Sequence, residues 1–295
     1  MRTPFVLTTF LGLAFLAACE AESTGSSPDA GAGPDGYVSL IEGAWTLPSG
    51  TENYVCVRTT VTRDVWISAI RPVAPLGTHH TVLMLGAPDG PDGITDCTSS
   101  LVKPAIYASG VGTQALEMPA GVAVHVKPGQ QLLLNLHLFN SGDEELEGRS
   151  GIEIIPADPA AVEHEAGVVL AGRAQGLEVP PGKSTQIGTC TTPANITVFA
   201  IAPHMHMLGT HMKVSYSAGT AAPRVLLDEP YAFDEQRFQL LTPQLTSTAG
   251  GKLKVECSYM NPSLDTVLFG EHTEQEMCYA LTFVYPPVAI ESCTR

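Results

Sequence analysis

Positive charge is scarce in this sequence. Its 295 residues carry 15 Lys and Arg against 30 Asp and Glu, a formal charge of −15, and no basic run interrupts that balance. Nucleic acid is thereby excluded as a partner, because holding a phosphate backbone needs clustered cations that displace its counterions. No CxxC pair occurs, so the usual spacing of a zinc ribbon or a dithiol redox site is missing. No segment sustains a long helical period, and no repeat of the solenoid kind is found. Beyond the amino terminus no apolar run is long enough for a transmembrane helix.

The amino terminus itself reads as an export signal. Arg2 supplies the positive start, Phe5 to Leu16 the apolar stretch, and Leu16-Ala17-Ala18-Cys19 looks like a bacterial lipobox. Residues 1–18 are therefore expected to be a cleaved signal peptide and Cys19 to be lipidated. Residues 20–36, EAESTGSSPDAGAGPDG, have no aliphatic side chain larger than Ala and should form a flexible tether. The expectation is an exported protein of the cell envelope, anchored by lipid to the outer membrane of a bacterium and touching the membrane only there. Setting Cys19 aside leaves Cys56, Cys97, Cys190, Cys257, Cys278 and Cys293. Export exposes them to an oxidising compartment, where disulfides are expected and fifteen pairings are open.

From about residue 37 the chain alternates short segments rich in Val, Ile, Thr and aromatics with Pro and Gly. Such spacing predicts an all-β sandwich or barrel. Expected strands include Tyr54 to Thr62, Val65 to Ile70, Thr81 to Leu85, Val122 to Val126, Gln131 to Phe139, Ile196 to Ile201, Met212 to Tyr216, Leu253 to Tyr259 and Ala280 to Tyr285. The chain length favours two domains. Two prolines in Pro156-Ala157-Asp158-Pro159-Ala160 mark a boundary, giving units over residues 37–156 and 162–295.

The nine histidines cluster. His204 and His206 flank Met205, so on a strand they share a face and can reach one ion. His79 and His80 are adjacent and share an ion only at a bulge, bend or strand end, which Gly77 makes possible. His137 closes the apolar run LLLNLH, and Met277 sits beside Cys278. Two imidazoles and a thioether suit copper better than zinc or a hard cation. His125 and His164 read as surface or strand-face residues. His211 and His272 lie near the second group and could orient a ligand.

Those motifs resemble the copper type II, ascorbate-dependent monooxygenases. The HH pair is matched by Thr78-His79-His80-Thr81, and the later strand-end His by Leu136-His137-Leu138-Phe139-Asn140. The HxHxxG motif is matched by His204-Met205-His206-Met207-Leu208-Gly209, and the Glu-Met-Cys by Glu276-Met277-Cys278. The resemblance covers roughly residues 44 to 293. It implies two tandem antiparallel β-sandwich domains of jelly-roll type and two copper ions per chain, facing each other across a water-filled cleft. His79, His80 and His137 would hold the copper that stores and passes an electron. His204, His206 and Met277 would hold the catalytic copper, which binds O2 beside the substrate.

The resemblance further implies disulfides Cys56 with Cys97, Cys190 with Cys293, and Cys257 with Cys278. The family's bond between domains has no cysteines here, which points to a more open or mobile arrangement. The implied reaction is hydroxylation of a C–H bond of a small organic substrate, with O2 and ascorbate or another one-electron reductant. Peptide-processing members carry an Arg and a Tyr where this chain has Ala202 and Leu281, so peptide amidation is not expected. The rival reading is a copper-binding or buffering lipoprotein without turnover. Two complete donor sets, one with a thioether, favour the enzyme.

Overall fold

The structure, a computed structural model, describes residues 35–97 and 103–288. The expected signal peptide, Cys19, nearly all of the tether, and Cys293 lie outside the described residues. Among the described residues the chain is all-β, and its one helical element is a 3-10 turn at Pro159–Ala161. The first strands are β1 (Val38–Leu47), β2 (Glu52–Thr60), β3 (Val65–Val73), β4 (Thr78–Gly86), β5 (Gly93–Asp96) and β6 (Ala105–Ser109). They are followed by β7 (Leu116–Glu117), β8 (Val122–Val126), β9 (Gln131–Phe139), β10 (Leu146–Pro156) and β11 (His164–Glu165). The chain continues with β12 (Gly167–Gly172), β13 (Glu178–Val179), β14 (Gly182–Thr191), β15 (Ile196–His204) and β16 (Gly209–Ser217). It ends with β17 (Arg224–Pro230), β18 (Gln239–Ser247), β19 (Lys252–Asn261), β20 (Val267–Leu268) and β21 (Tyr279–Tyr285).

Strands β1 to β11 form two sheets, ordered β1-β10-β3-β8-β11, with β7 also on β3, and β5-β2-β9-β4-β6. Strands β12 to β21 form β12-β21-β15-β18, β14-β19-β16-β17 and the pair β13-β20. Neighbours are antiparallel except β8 and β11, which run parallel. β11 lies beyond the Pro156–Ala160 segment and still pairs with β8 of the first group.

Period-two alternation explains how β9 serves two purposes at once. Leu132, Leu134, Leu136 and Leu138 point into the first core, where each is essentially inaccessible to solvent. Each such side chain stabilises by about 1.5–3 kcal/mol. Leu133, by contrast, joins a small cluster with Cys56 and Met84. Asn135 and His137 share the parity of Leu133, so this second face of β9 carries polar groups that are also buried.

The first core does not stop at the first group of strands. Ala166, Val168, Phe199, Ala202, Leu281 and Phe283, from β12, β15, β21 and the residue before β12, belong to the same buried cluster as Leu40, Ile67 and Leu134. The two halves are therefore closed on one another through apolar packing. The more open arrangement expected from the missing cysteines is not seen, because burial of this face holds the halves together without a cross-link. A separate core fills the space between the β12-β21-β15-β18 and β14-β19-β16-β17 sheets. Disulfides join Cys56 to Cys97 and Cys257 to Cys278. Cys190 is disulfide-bonded as well, and its expected partner Cys293 lies outside the described residues.

Candidate metal centre

The first histidine set is assembled by strand register. Tyr54 on β2 and His80 on β4 both lie opposite His137 on β9. The β4–β9 register shifts between Thr78 and His80, so a bulge at His79 lets adjacent histidines turn to the same point. Gly77 enters the bulge with φ +97°, a conformation that other residues rarely adopt. Its space is closed as well, since a Cβ there would lie 2.8 Å from the Trp45 ring.

Three Nδ1 atoms converge as a result. His137 Nδ1 is 2.9 Å from His79 Nδ1 and 3.2 Å from His80 Nδ1. The other nitrogen of His137 is committed elsewhere: its Nε2–H donates to the Glu52 carboxylate. That bond leaves the Nδ1 lone pair facing the trio. Tyr54 stacks flat on the His137 ring, centroids 4.3 Å apart. Burial lowers the basicity of all three rings, with repulsion from neighbouring imidazoles adding to it. His79 is brought down to about 4 and His137 to about 3, while His80 falls well below its ordinary value. Neutral imidazoles with convergent lone pairs fit a cation that favours nitrogen donors. Among the described residues this is the only trio of His, Cys, Asp or Glu whose ligand atoms lie within 4.8 Å of one another.

The second set is built around a turn rather than along a strand. β15 ends at His204, and His206 lies in the turn that follows, so the same-face argument does not place it. Glu276, fully buried, accepts hydrogen bonds from the backbone N–H of His206 at 2.9 Å, Leu208 at 2.7 Å and Met277 at 3.2 Å. One carboxylate thus ties both motifs together. The two imidazoles lie with ring centroids 5.4 Å apart, nearly perpendicular. His204 Nδ1 faces Gln236 Oε1 at 2.9 Å, and His206 Nδ1 faces the Gln275 carbonyl at 3.0 Å. Both Nδ1–H groups donate, which leaves each Nε2 as the available lone pair. Burial pushes His206 down to about 3 and lowers His204 too. Met277 is partly buried, and Tyr259 donates to its carbonyl at 2.7 Å.

The two sets meet. His80 and His204 have ring centroids 6.1 Å apart, and His79 packs at 4.6 Å from Phe233 of the second half. Side chains of the two halves are in contact across the junction. Thr273 donates to Glu52 at 3.0 Å, and Tyr54 donates to the Glu271 carbonyl at 3.2 Å. A cavity of about 380 Å³ opens beside the junction, and His80, His204 and Met277 all reach its wall.

The remaining histidines divide as expected in part. His125 stacks on Trp66 with its Nε2 3.0 Å from Asp64, and His164 stacks on Tyr285 at 4.8 Å. His211 pairs with Asp228 at 3.2 Å. His272 meets the edge of Tyr54 at 6.1 Å, so it borders the first set rather than the second. Glu52, Tyr54, Gln236 and Thr273 were not singled out by the sequence. The one available signal was that Glu52 and Tyr54 sit two apart on a strand.

An all-β chain that brings two sets of neutral imidazoles together, with Met277 lining the same cavity as His204, has donors that suit a soft metal ion. Comparison with known proteins agrees. Residues 164–295 match the copper type II ascorbate-dependent monooxygenase C-terminal domain, and the similarities below support the same family. It is 27% identical over 227 residues to the Homo sapiens protein named "Putative DBH-like monooxygenase protein 2", covering 69% of this chain and 45% of that one. Over 228 residues it is 26% identical to the Mus musculus "DBH-like monooxygenase protein 2", covering 69% of this chain and 37% of that one. "MOXD1 homolog 1" of Drosophila melanogaster is 23% identical over 224 residues, 68% of this chain and 32% of that one. The chain thus spans less than half the length of these curated relatives.

Proposed function

We propose that this chain is a copper-dependent monooxygenase that hydroxylates a C–H bond of a small organic substrate. In the balanced reaction one oxygen atom of O2 enters the C–H bond and the other leaves as water. Two protons and two electrons are consumed, the electrons coming from ascorbate or another one-electron reductant. His79, His80 and His137 hold one copper ion, and His204, His206 and Met277 hold the other. Bound copper supplies electron storage at the first set and O2 activation at the second. The observation that carries this reading is the junction itself. Two three-donor sets of different composition meet, with His80 and His204 rings 6.1 Å apart, and His80, His204 and Met277 all line one cavity.

The protein's own residues prepare both sets. Glu52 fixes the His137 tautomer, Gln236 that of His204 and the Gln275 carbonyl that of His206. Apolar packing between the halves buries the junction, and a low-dielectric surrounding strengthens electrostatic interactions. We read the four larger sheets as two tandem β-sandwiches, over residues 37–156 and 162–295, each presenting one donor set. In the same reading the chain is exported, cut after residue 18, and held at the outer membrane by lipid on Cys19.

Copper loading of the chain from Glu20 onward tests the assignment. Two copper ions are expected. His206→Ala or Met277→Ala should lower Cu(I) affinity at one site and leave the other intact, with circular dichroism reporting that the fold is kept. Substrate-dependent O2 uptake with ascorbate supports the enzyme; two bound ions with no such uptake across a broad panel of C–H donors favours the buffering lipoprotein.

A further inference from the structure

The cavity beside the junction has a composition that constrains what can occupy it. At about 380 Å³ it lies near the lower end of the range of about 300–1,000 Å³ found for small-molecule sites. Val168, Leu170, Ala202, Phe238, Tyr279 and Leu281 are among its lining residues, and His80, His204 and Met277 line it from the donor sets. Few side chains are left to recognise charge.

Most polar side chains on the wall are already engaged. Thr81 Oγ1 and Ser109 Oγ hydrogen-bond to each other at 2.7 Å. Thr113 Oγ1 accepts from the Gly110 N–H at 2.9 Å and donates to the Gln236 carbonyl at 2.7 Å. The Gln236 side chain is divided between His204 and the Phe233 carbonyl, the latter at 2.9 Å. Asn135 Nδ2 is directed at the Cys56–Cys97 disulfide, 3.5 Å from Cys97 Sγ.

Two lining residues can carry formal charge apart from the histidines. Lys103, with 6% of its side chain exposed, places Nζ 3.1 Å from Asp89 and 3.2 Å from Gln131 Oε1. Its charge is thus balanced from behind the wall. Glu271 reaches the wall too; it interacts within the protein, while its Oε2 is buried and accepts no hydrogen bond. A carboxylate entering the cavity would lose its hydration with the one cation already paired. An ammonium would meet apolar side chains around most of its surface, with Glu271 as the single carboxylate on the wall. Burying an ion without a dedicated partner costs several kcal/mol, more than its hydrocarbon frame recovers in so small a site.

We propose that this cavity binds an uncharged, mainly apolar substrate and presents its C–H bond to the His204–Met277 end. The inference rests on the monooxygenase reading for the identity of the reacting end, and adds the chemical class of the substrate. Selection is chiefly by shape and desolvation.

Three probes that share a phenyl frame separate the possibilities: ethylbenzene, 2-phenylethylammonium and phenylacetate. Their binding is measured by ligand-observed NMR and calorimetry on the full chain, copper-free and Cu(I)-loaded. Ethylbenzene is expected to bind about tenfold or more tightly than either ion in both forms. Leu281→Arg should weaken ethylbenzene at least about tenfold and raise phenylacetate relative to it. Leu170→Glu, at a half-buried position, should do the same in favour of 2-phenylethylammonium and keeps the test readable where Leu281→Arg unfolds. Tightest binding of either ion by the unaltered chain overturns the proposal, and so does ethylbenzene binding that neither folded variant changes. Copper uptake without ethylbenzene binding removes this inference and leaves the proposed function standing. Ethylbenzene binding without copper uptake does the reverse.

Discussion

His137 donates its Nε2–H to the carboxylate of Glu52, and the same carboxylate accepts from Thr273 of the other half at 3.0 Å. One side chain therefore fixes a donor of the first set and touches the loop that leads to Met277. Replacing Glu52 by Ala frees His137 to rotate or change tautomer. Loss of such an outer partner lowers metal affinity by about 10–100-fold. Competition against a chromophoric Cu(I) chelator is expected to show that loss at the His79–His80–His137 set. An unchanged affinity would mean that the hydrogen bond does not hold the ring.

Gln236 performs the corresponding task for His204 while reaching across the junction. Its backbone N–H donates to the Val111 carbonyl at 3.3 Å, and its own carbonyl accepts from Thr113 at 2.7 Å. Gly110 leaves room for it, since a Cβ there would stand 2.7 Å from the amide. Gln236→Ala should therefore weaken copper at the His204–His206–Met277 set by about tenfold or more and leave the first set unchanged. Gln236→Glu keeps an acceptor opposite His204 Nδ1–H and should restore most of the affinity. Failure of that rescue would point to a packing role in place of an orienting one.

Much of this centre was legible in residue types and very little in its supports. The bulge at His79 could be foreseen, because adjacent residues on a regular strand face opposite ways and Gly77 offered an exit. β8 and β9 have the bounds that alternation and turn residues predict. His206 was placed on a strand for a simpler reason than the real one: the chain turns after His204, and Glu276 holds the turn through backbone N–H groups that no side-chain pattern reveals. Glu52 and Gln236 act through tertiary contacts with residues 85 and 32 positions away. Closure of the two halves was also hidden, since Ala202, Leu281 and Phe283 read as ordinary core positions of their own sheet.

The depressed histidines set a pH dependence whose sign can be worked out. His79 at about 4 and His137 and His206 at about 3 stay neutral when folded, whereas in the unfolded chain they titrate near about 6.5. Between those values the unfolded state binds more protons, so their contribution to stability is present above about 6.5 and is lost as pH falls. Burial moves Glu276 the other way, up to about 7. Its contribution is lost as pH rises from its unfolded value toward 7, but one carboxyl is outnumbered by the imidazoles. The copper-free chain is expected to unfold at progressively lower temperature from pH 7 to pH 5. Cu(I) affinity at the trio should stay nearly level over that interval, because the folded ligands carry no proton to displace. A steep fall in affinity just below pH 6.5 would identify solvent-like histidines and count against the buried arrangement.

Glu276 offers the sharpest separation of structure from chemistry, because it hydrogen-bonds backbone N–H groups in both motifs of the second set. Its Oε2 accepts from the His206 and Met277 N–H groups and its Oε1 from Leu208. Glu276→Gln keeps the volume but turns an amide NH2 toward at least one of those donors. A buried N–H left facing another donor costs about 1–3 kcal/mol. At pH 8, where the carboxyl is ionised in the unaltered chain, the copper-free variant should melt several degrees lower. The turn that carries His206 would shift against Met277, so copper at the second set should weaken while His79, His80 and His137 retain theirs. Equal weakening of both sets would show that the carboxylate supports the junction as a whole. An unchanged melting temperature would show that its three hydrogen bonds are replaced by solvent.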